Sequence, residues 1–376
     1  MRDSSHDRRW AFTLVELLVA MAVVSLMMVF LVTITSQTSK LWSYCRERSN
    51  QFAAARMAFG SLTRNVSQAT LNAYWDFVDA SGNAHTNSSF IPASYRRQSE
   101  LRFISGGGLA GDAASSPSRP THSIFFQAPL GFTAAAGFQG LDSLLNTCGY
   151  YIEFNSNGSE GLDLKPPFVK SPSRYRFRLM ELIQPSESMT LYNYTAANPV
   201  LRSQDPNGMK WFQDAMSASP RPPAHVLAEN IVALVIIPKL SPAEELGLNP
   251  PPPTVGSALS PTYSYDSTAD YNGPSAPSAA NAAALSPKSQ LPPLVQITMV
   301  AVEEASFSRY LGTSTSIPGS LRFDGLFTTV GDLTDSSKPG FARDLNTVVE
   351  ALGSAKIDYR VFTTVVSIKG AKWSRN

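Results

Sequence analysis

One carboxylate, Glu16, sits in an otherwise apolar run. Phe12 to Ile34 reads FTLVELLVAMAVVSLMMVFLVTI, with only Thr13, Glu16, Ser25 and Thr33 polar. A carboxylate near the middle of a bilayer costs about 2.5–3.5 kcal/mol, so a residue kept there either serves a function or snorkels to the interface. The chemistry open to it is charge pairing, because two partnered charges are far cheaper in low dielectric than one alone. Cys45 and Cys148 are the other reactive candidates. Outside the cytoplasm they could form one disulfide pinning a helix to a sheet; two small buried thiols are the equally ordinary alternative.

The remaining candidates are weaker. His6, His85, His122 and His225 stand apart, with neither an H-x-x-x-H nor an H-E-x-x-H spacing for zinc. Gly106-Gly107-Gly108 lacks the Gly-Lys-Ser of a phosphate loop, and no G-x-S-x-G elbow occurs. Glu244–Glu245 and Glu303–Glu304 read as surface acids, and Asp324, Asp332 and Asp335 match no EF-hand spacing. These residues predict no enzyme, no cofactor and no metal.

The elements that position Glu16 begin with that run itself. Its 23 residues span roughly 35 Å as a helix, enough for a bilayer core of about 30 Å. Arg2, Arg8 and Arg9 supply a basic flank, as in a signal peptide, but the run exceeds the usual apolar core and no prompt small-x-small cleavage site follows. Beyond it, Leu41, Cys45, Arg48, Phe52, Ala55, Phe59, Leu62, Val66 and Ala69 recur at steps of four and three. One helix is therefore expected from about Phe12 to Leu71, with Gly60 as a weak point and its second half packed on the protein's own sheet. A transmembrane part covers residues 12–35 and an amphipathic continuation residues 36–72.

Residues 73–376 change to short β-type runs between Gly, Pro, Ser and Asn clusters. Strands are expected at Glu100–Ser105, Ser123–Ala128, Tyr150–Asn155, Tyr175–Ile183, Ile231–Pro238, Leu294–Glu303 and Tyr359–Ile368. In RYRFRLMEL, Tyr175, Phe177 and Leu179 share one face and the arginines the other. Short helices are expected at Trp211–Met216 and Asp344–Leu352. Residues 241–293, rich in Pro, Ser and Ala, read as a surface loop or flexible insertion, because few large apolar side chains are present to offset its ordering entropy. Tyr263, Tyr265 and Tyr271 within it offer rings to dock on a partner, although docking on the parent domain or staying solvated is the expected outcome. A second flexible loop is expected at Gly106–Pro120. Strands after one long helix, without βαβ repeats, indicate an α+β fold with a mainly antiparallel sheet.

The string Ala11-Phe12-Thr13-Leu14-Val15-Glu16, after a short basic leader, closely resembles the cleavage and methylation motif of type IV prepilins and pseudopilins. The resemblance implies a leader of residues 1–11, cleavage between Ala11 and Phe12 by prepilin peptidase, N-methylation of Phe12, and assembly through Thr13 and Glu16. Glu16 would neutralise the new α-amine or that of a neighbouring subunit. Ala11 departs from the glycine usual before the cut. LAENIVALVIIPKL and LPPLVQITMVAVEE resemble the J-type minor pseudopilins, and IDYRVFTTVVSIKGAKW resembles the Verru_Chthon cassette protein C family. The implied partners are prepilin peptidase, other pilin-like subunits and an inner-membrane assembly platform. The implied location is the inner membrane, with a cytoplasmic N-terminus and a periplasmic or extracellular C-terminal domain. A signal-anchored periplasmic binding protein that never polymerises is the alternative.

Composition fits that outline. Charged residues are 16% of the chain, against about 25% in soluble domains, while 43% are apolar, an ordinary share. A net charge of +2 offers no basic face for nucleic acid.

Overall fold

A computed structural model describes residues 13–80, 90–111, 118–156, 174–194, 205, 208–217, 223–252, 254–323 and 325–373. The chain divides into two compact units, residues 1–53 and 54–376. The first contains α1 (Leu14–Gln51). Its apolar side chains from Leu14 to Ile34 are solvent-exposed.

The second unit opens with α2 (Ala53–Ser67). Helix is thus interrupted at Phe52 and ends at Ser67, short of the expected Leu71. Gly60 lies inside α2 and is not the break. The helix closes with tightened bonds, Gln68 N to the Asn65 carbonyl at 3.0 Å and Ala69 N to that of Val66 at 3.1 Å. Thr70 then donates to the Gln127 carbonyl, so the backbone is captured by the sheet. Ala55, Ala58, Leu62, Asn65, Val66 and Ala69 form the buried face. Helix-on-sheet packing is what the spacing led one to expect from Ala55 onward, whereas Leu41, at the start of the same expected stripe, is exposed.

The elements that follow are β1 (Tyr74–Val78), β2 (Ser94–Gln98), β3 (Ile104–Gly107), β4 (His122–Pro129), β5 (Leu145–Ser156), β6 (Tyr175–Gln184), α3 (Lys210–Met216), β7 (Ala224–Glu229) and β8 (Ile231–Lys239). Next come α4 (Pro242–Leu246), β9 (Tyr265–Asp266), α5 (Ala279–Ala282), β10 (Leu294–Val302), α6 (Glu304–Leu311), α7 (Phe341–Ser354) and β11 (Tyr359–Ser367). They build an α+β unit with antiparallel sheets: a six-stranded sheet β7-β6-β5-β4-β3-β9, a three-stranded sheet β11-β10-β8 and a ribbon β1-β2. β8 packs across β4, β5 and β6. On the other face of the six-stranded sheet, Phe125, Tyr151, Met180 and Leu182 form a core with Trp211 and Phe212 of α3. Phe125 stacks on Phe212 at 3.9 Å. Gly149 is what admits that ring, since a Cβ there would stand 2.2 Å from Phe125 Cδ1.

Both faces of β6 are covered, so the face that carries the arginines is buried as well. Arg178 does not face water but is fully buried, its Nη1 donating to the Asn155 carbonyl at 2.7 Å and its Nε to Glu229 Oε1 at 3.4 Å. Arg176 pairs with Glu229 and Glu304. An inner strand of a doubly covered sheet has no solvent side, and its charges persist because they are paired.

Residues 241–293 are also corrected: the described part is packed against the domain. β9 pairs with β3, and Tyr263 and Tyr265 are fully buried, while Tyr271 is exposed. Hydrogen bonds do much of the ordering. Ser241 and Glu244 form a capping box on α4. Buried Glu245 accepts from the amides of Gly256 and Ala258. Asn281 joins Asn249 to Pro250, and Tyr265 donates to the Gln290 carbonyl at 2.9 Å. Of the Gly106–Pro120 loop, residues 112–117 lie outside the described residues.

His122 ties the sheets together. Its Nδ1 accepts from the Ile236 amide at 3.2 Å, so Nε2 carries the proton and donates to the Phe327 carbonyl at 3.2 Å. Burial lowers its pKa from 6.5 to about 4. The neutral ring is therefore required by the fold, and stability is complete above the unfolded value and lost as pH falls toward the folded one. Across that window the expected loss is about 3 kcal/mol. Denaturant midpoints measured from pH 7 to pH 4 should show it, and His122→Gln should flatten that limb.

Candidate functional site

The head of α1 is built by its own side chains. Thr13 precedes the helix; its amide and hydroxyl donate to Glu16 Oε2 at 3.0 and 2.9 Å, and the Glu16 amide donates back to Thr13 Oγ1 at 3.3 Å. This is a capping box, in which Thr and Glu three positions apart satisfy each other's backbone donors. Sequence reasoning chose both residues but missed this bond, whose signal was Thr-x-x-Glu before an apolar run. Ala11 and Phe12 lie outside the described residues.

The other hydroxyls of the run, and Thr35 just beyond it, bond to their own helix: Ser25 to the Met21 carbonyl at 2.8 Å, Thr33 to Val29 at 2.8 Å and Thr35 to Leu31 at 2.7 Å. Each is thus satisfied without an outside partner, which is what a hydrocarbon environment demands. The apolar stretch Leu14–Ser43 covers 30 residues and is long and apolar enough to cross a membrane.

A second polar cluster lies inside residues 54–376, where α2 meets the sheet. Asn65 Nδ2 donates to the Tyr150 hydroxyl at 2.8 Å and to Glu181 Oε1 at 3.3 Å. Tyr150 also donates to Glu181 Oε1, and His225 Nε2 meets Glu181 Oε2 at 2.9 Å. Four elements, α2, β5, β6 and β7, thus converge on one carboxylate. Burial pushes the Glu181 carboxyl up, but His225, Tyr150 and Asn65 together hold it below its ordinary value. The Glu181 hydrogen bond raises His225.

Cys148 lies beside this cluster on β5 as a free, buried thiol. The other half of the possible disulfide, the Cys45 side chain, lies outside the described residues. Burial, with Glu181 adding, pushes the Cys148 thiol up. It stays protonated at neutral pH, and a protonated thiol is a poor nucleophile. The arrangement ties helix to sheet and does not activate a nucleophile.

The other sequence candidates are placed apart. Asp332 accepts from the Thr334 and Asp335 amides, and Asp335 from that of Ser337, in turns that both acids share with Lys338. Asp324, His6 and His85 lie outside the described residues. Among the described residues no three His, Cys, Asp or Glu side chains are grouped to hold a metal. No family model, no curated protein and no solved structure matches the chain.

Proposed function

We propose that the chain is a pilin-like subunit of the minor pseudopilin type, belonging to a type IV pilus or a type II secretion-like filament. Prepilin peptidase removes residues 1–11 and methylates Phe12, and the subunit assembles through its N-terminal helix. The observation that carries this reading is the Ala11–Glu16 string at the start of an exposed apolar helical stretch of 30 residues. An antiparallel α+β domain that packs an amphipathic helix on its sheet supports it.

Glu16 is the chemical centre of the proposal. After cleavage the α-amine of Phe12 is a cation at the membrane edge, and the carboxylate neutralises it or its counterpart on a neighbouring subunit. Helix packing in the filament core, through van der Waals contact, supplies the remaining adhesion. The domain of 323 residues, 54–376, is bulky for a repeating filament body, which favours a low-copy subunit held at the inner membrane until assembly.

Intact-mass measurement of the protein from membranes tests the reading. The expected species lacks Met1–Ala11 and carries one methyl group on Phe12. A chain that keeps its leader in cells with active prepilin peptidase would overturn it and favour a simple membrane anchor.

A further inference from the structure

A strand edge presents unpaired N–H and C=O groups, and proteins blunt such edges with brevity, charge, proline or cover. Among the described residues, the ends of the two larger sheets are closed in these ways, with one exception. β9 is only two residues long. β7 carries His225 and Glu229, engaged by Glu181, Arg176 and Arg178. β8 turns the Leu234 and Ile236 amides to the Thr121 hydroxyl and the His122 ring. Pro238, the next residue on that side of β8, has no amide to offer.

β11 is long, holds no proline and carries a single charge, Arg360, next to its start. Its nine residues pair along their whole length with β10 on one side. Among the described residues no strand pairs with the other side. Val361–Ser367, VFTTVVS, contains no charge, proline or glycine, and β-branched residues of this kind favour strand pairing. Thr363 and Val365 are exposed, Val365 by 51%.

We propose that this edge is an interface between two copies of the chain, their β11 strands pairing antiparallel about a two-fold axis through Thr363. The strand is self-complementary in that register. Thr363 faces Thr363 of the second copy, Val361 faces Val365, Phe362 faces Thr364 and Tyr359 faces Ser367. These are cross-strand pairs of the stabilising kind, apolar or hydroxyl-bearing on both sides. Arg360, the only charge in β11, meets Val366, whereas a parallel pairing in register would set it against itself. The result is one continuous sheet, β8-β10-β11 joined to its symmetry mate, with the open edge removed. The contact is isologous and closes at two copies.

Cysteine cross-linking of the full-length chain in membranes, in a Cys45→Ser background, tests the register. Cys148 is fully buried and does not interfere. In the proposed dimer the two Thr363 Cα atoms lie about 4.5–5.5 Å apart, inside the disulfide range of about 4.4–6.8 Å. Thr363→Cys should give a disulfide-linked dimer under mild oxidation. Val365→Cys alone should stay monomeric, because its two copies are offset by about 13 Å along the strand. Mixing Val361→Cys with Val365→Cys chains should restore the link. A monomeric Thr363→Cys, equal linking by Val365→Cys, or a Thr363→Cys adduct to another protein would overturn the proposal. The readout is independent of N-terminal processing, so either reading can fail without the other.

Discussion

Glu16→Ala in the full-length chain is expected to leave cleavage before Phe12 largely intact while reducing the assembled fraction on the order of tenfold or more, the effect of about 1.4 kcal/mol lost per contact. The substitution removes two things at once: the capping bonds to Thr13 and the negative charge. Glu16→Gln separates them, since glutamine can fill the same place in a capping box but carries no charge. If charge pairing with the Phe12 amine drives assembly, Gln fails as Ala does. If Gln assembles like the unaltered chain, capping alone explains the residue and the pairing argument is lost. Sheared-filament yield, compared with intact mass from the same membranes, reads both arms.

Glu181→Ala should cost the domain about 3 kcal/mol, because truncating the shared acceptor strands buried donors. Asn65 and Tyr150 lose a partner inside the protein, and the link from α2 to β6 is cut. Glu181→Gln should cost less, since an amide oxygen can still accept from both. The pH dependence differs too. His225, raised by Glu181, contributes stability that is present below its unfolded pKa and lost as pH rises through the folded value. Its side chain is 57% exposed, so solvent screening keeps that term small. Glu181, held low, contributes above its unfolded value and loses this as pH falls. Both limbs should vanish in Glu181→Ala, as urea titrations across pH would show, leaving the acid limb of His122.

The strands that sequence reasoning found are those with uninterrupted apolar runs, such as Ile231–Lys239 and Leu294–Val302. Those it missed had local reasons. β9 is two residues within a Pro/Ser-rich segment, β2 is short and polar, β7 is six residues with His225 and Glu229 among small and apolar side chains, and β1 follows the helix end with exposed aromatics. The third strand was placed at Glu100–Ser105 and lies at Ile104–Gly107, because the Gly-rich run read as a loop is partly paired. At the site, Glu16 was legible as the one acid in an apolar run, and Thr13 only through the prepilin resemblance. The Asn65–Tyr150–Glu181–His225 cluster was not, since its bonded partners lie up to 116 residues apart in the chain.

By itself the sequence determined the features that depend on neighbours along the chain. These are the apolar run with one acid near its start, the amphipathic spacing of α2 and the alternating strands, all set by periods of 3.6 and 2. Only the tertiary structure decided which polar residues are buried. Arg178 and Glu245 lie inside because strands or backbone amides distant in sequence supply their partners, and a buried charge persists only where such partners converge. The same holds for Cys148, whose buried place on an inner strand keeps it a protonated thiol. For β11 the sequence set the propensity to pair, and the topology left one side of the strand open.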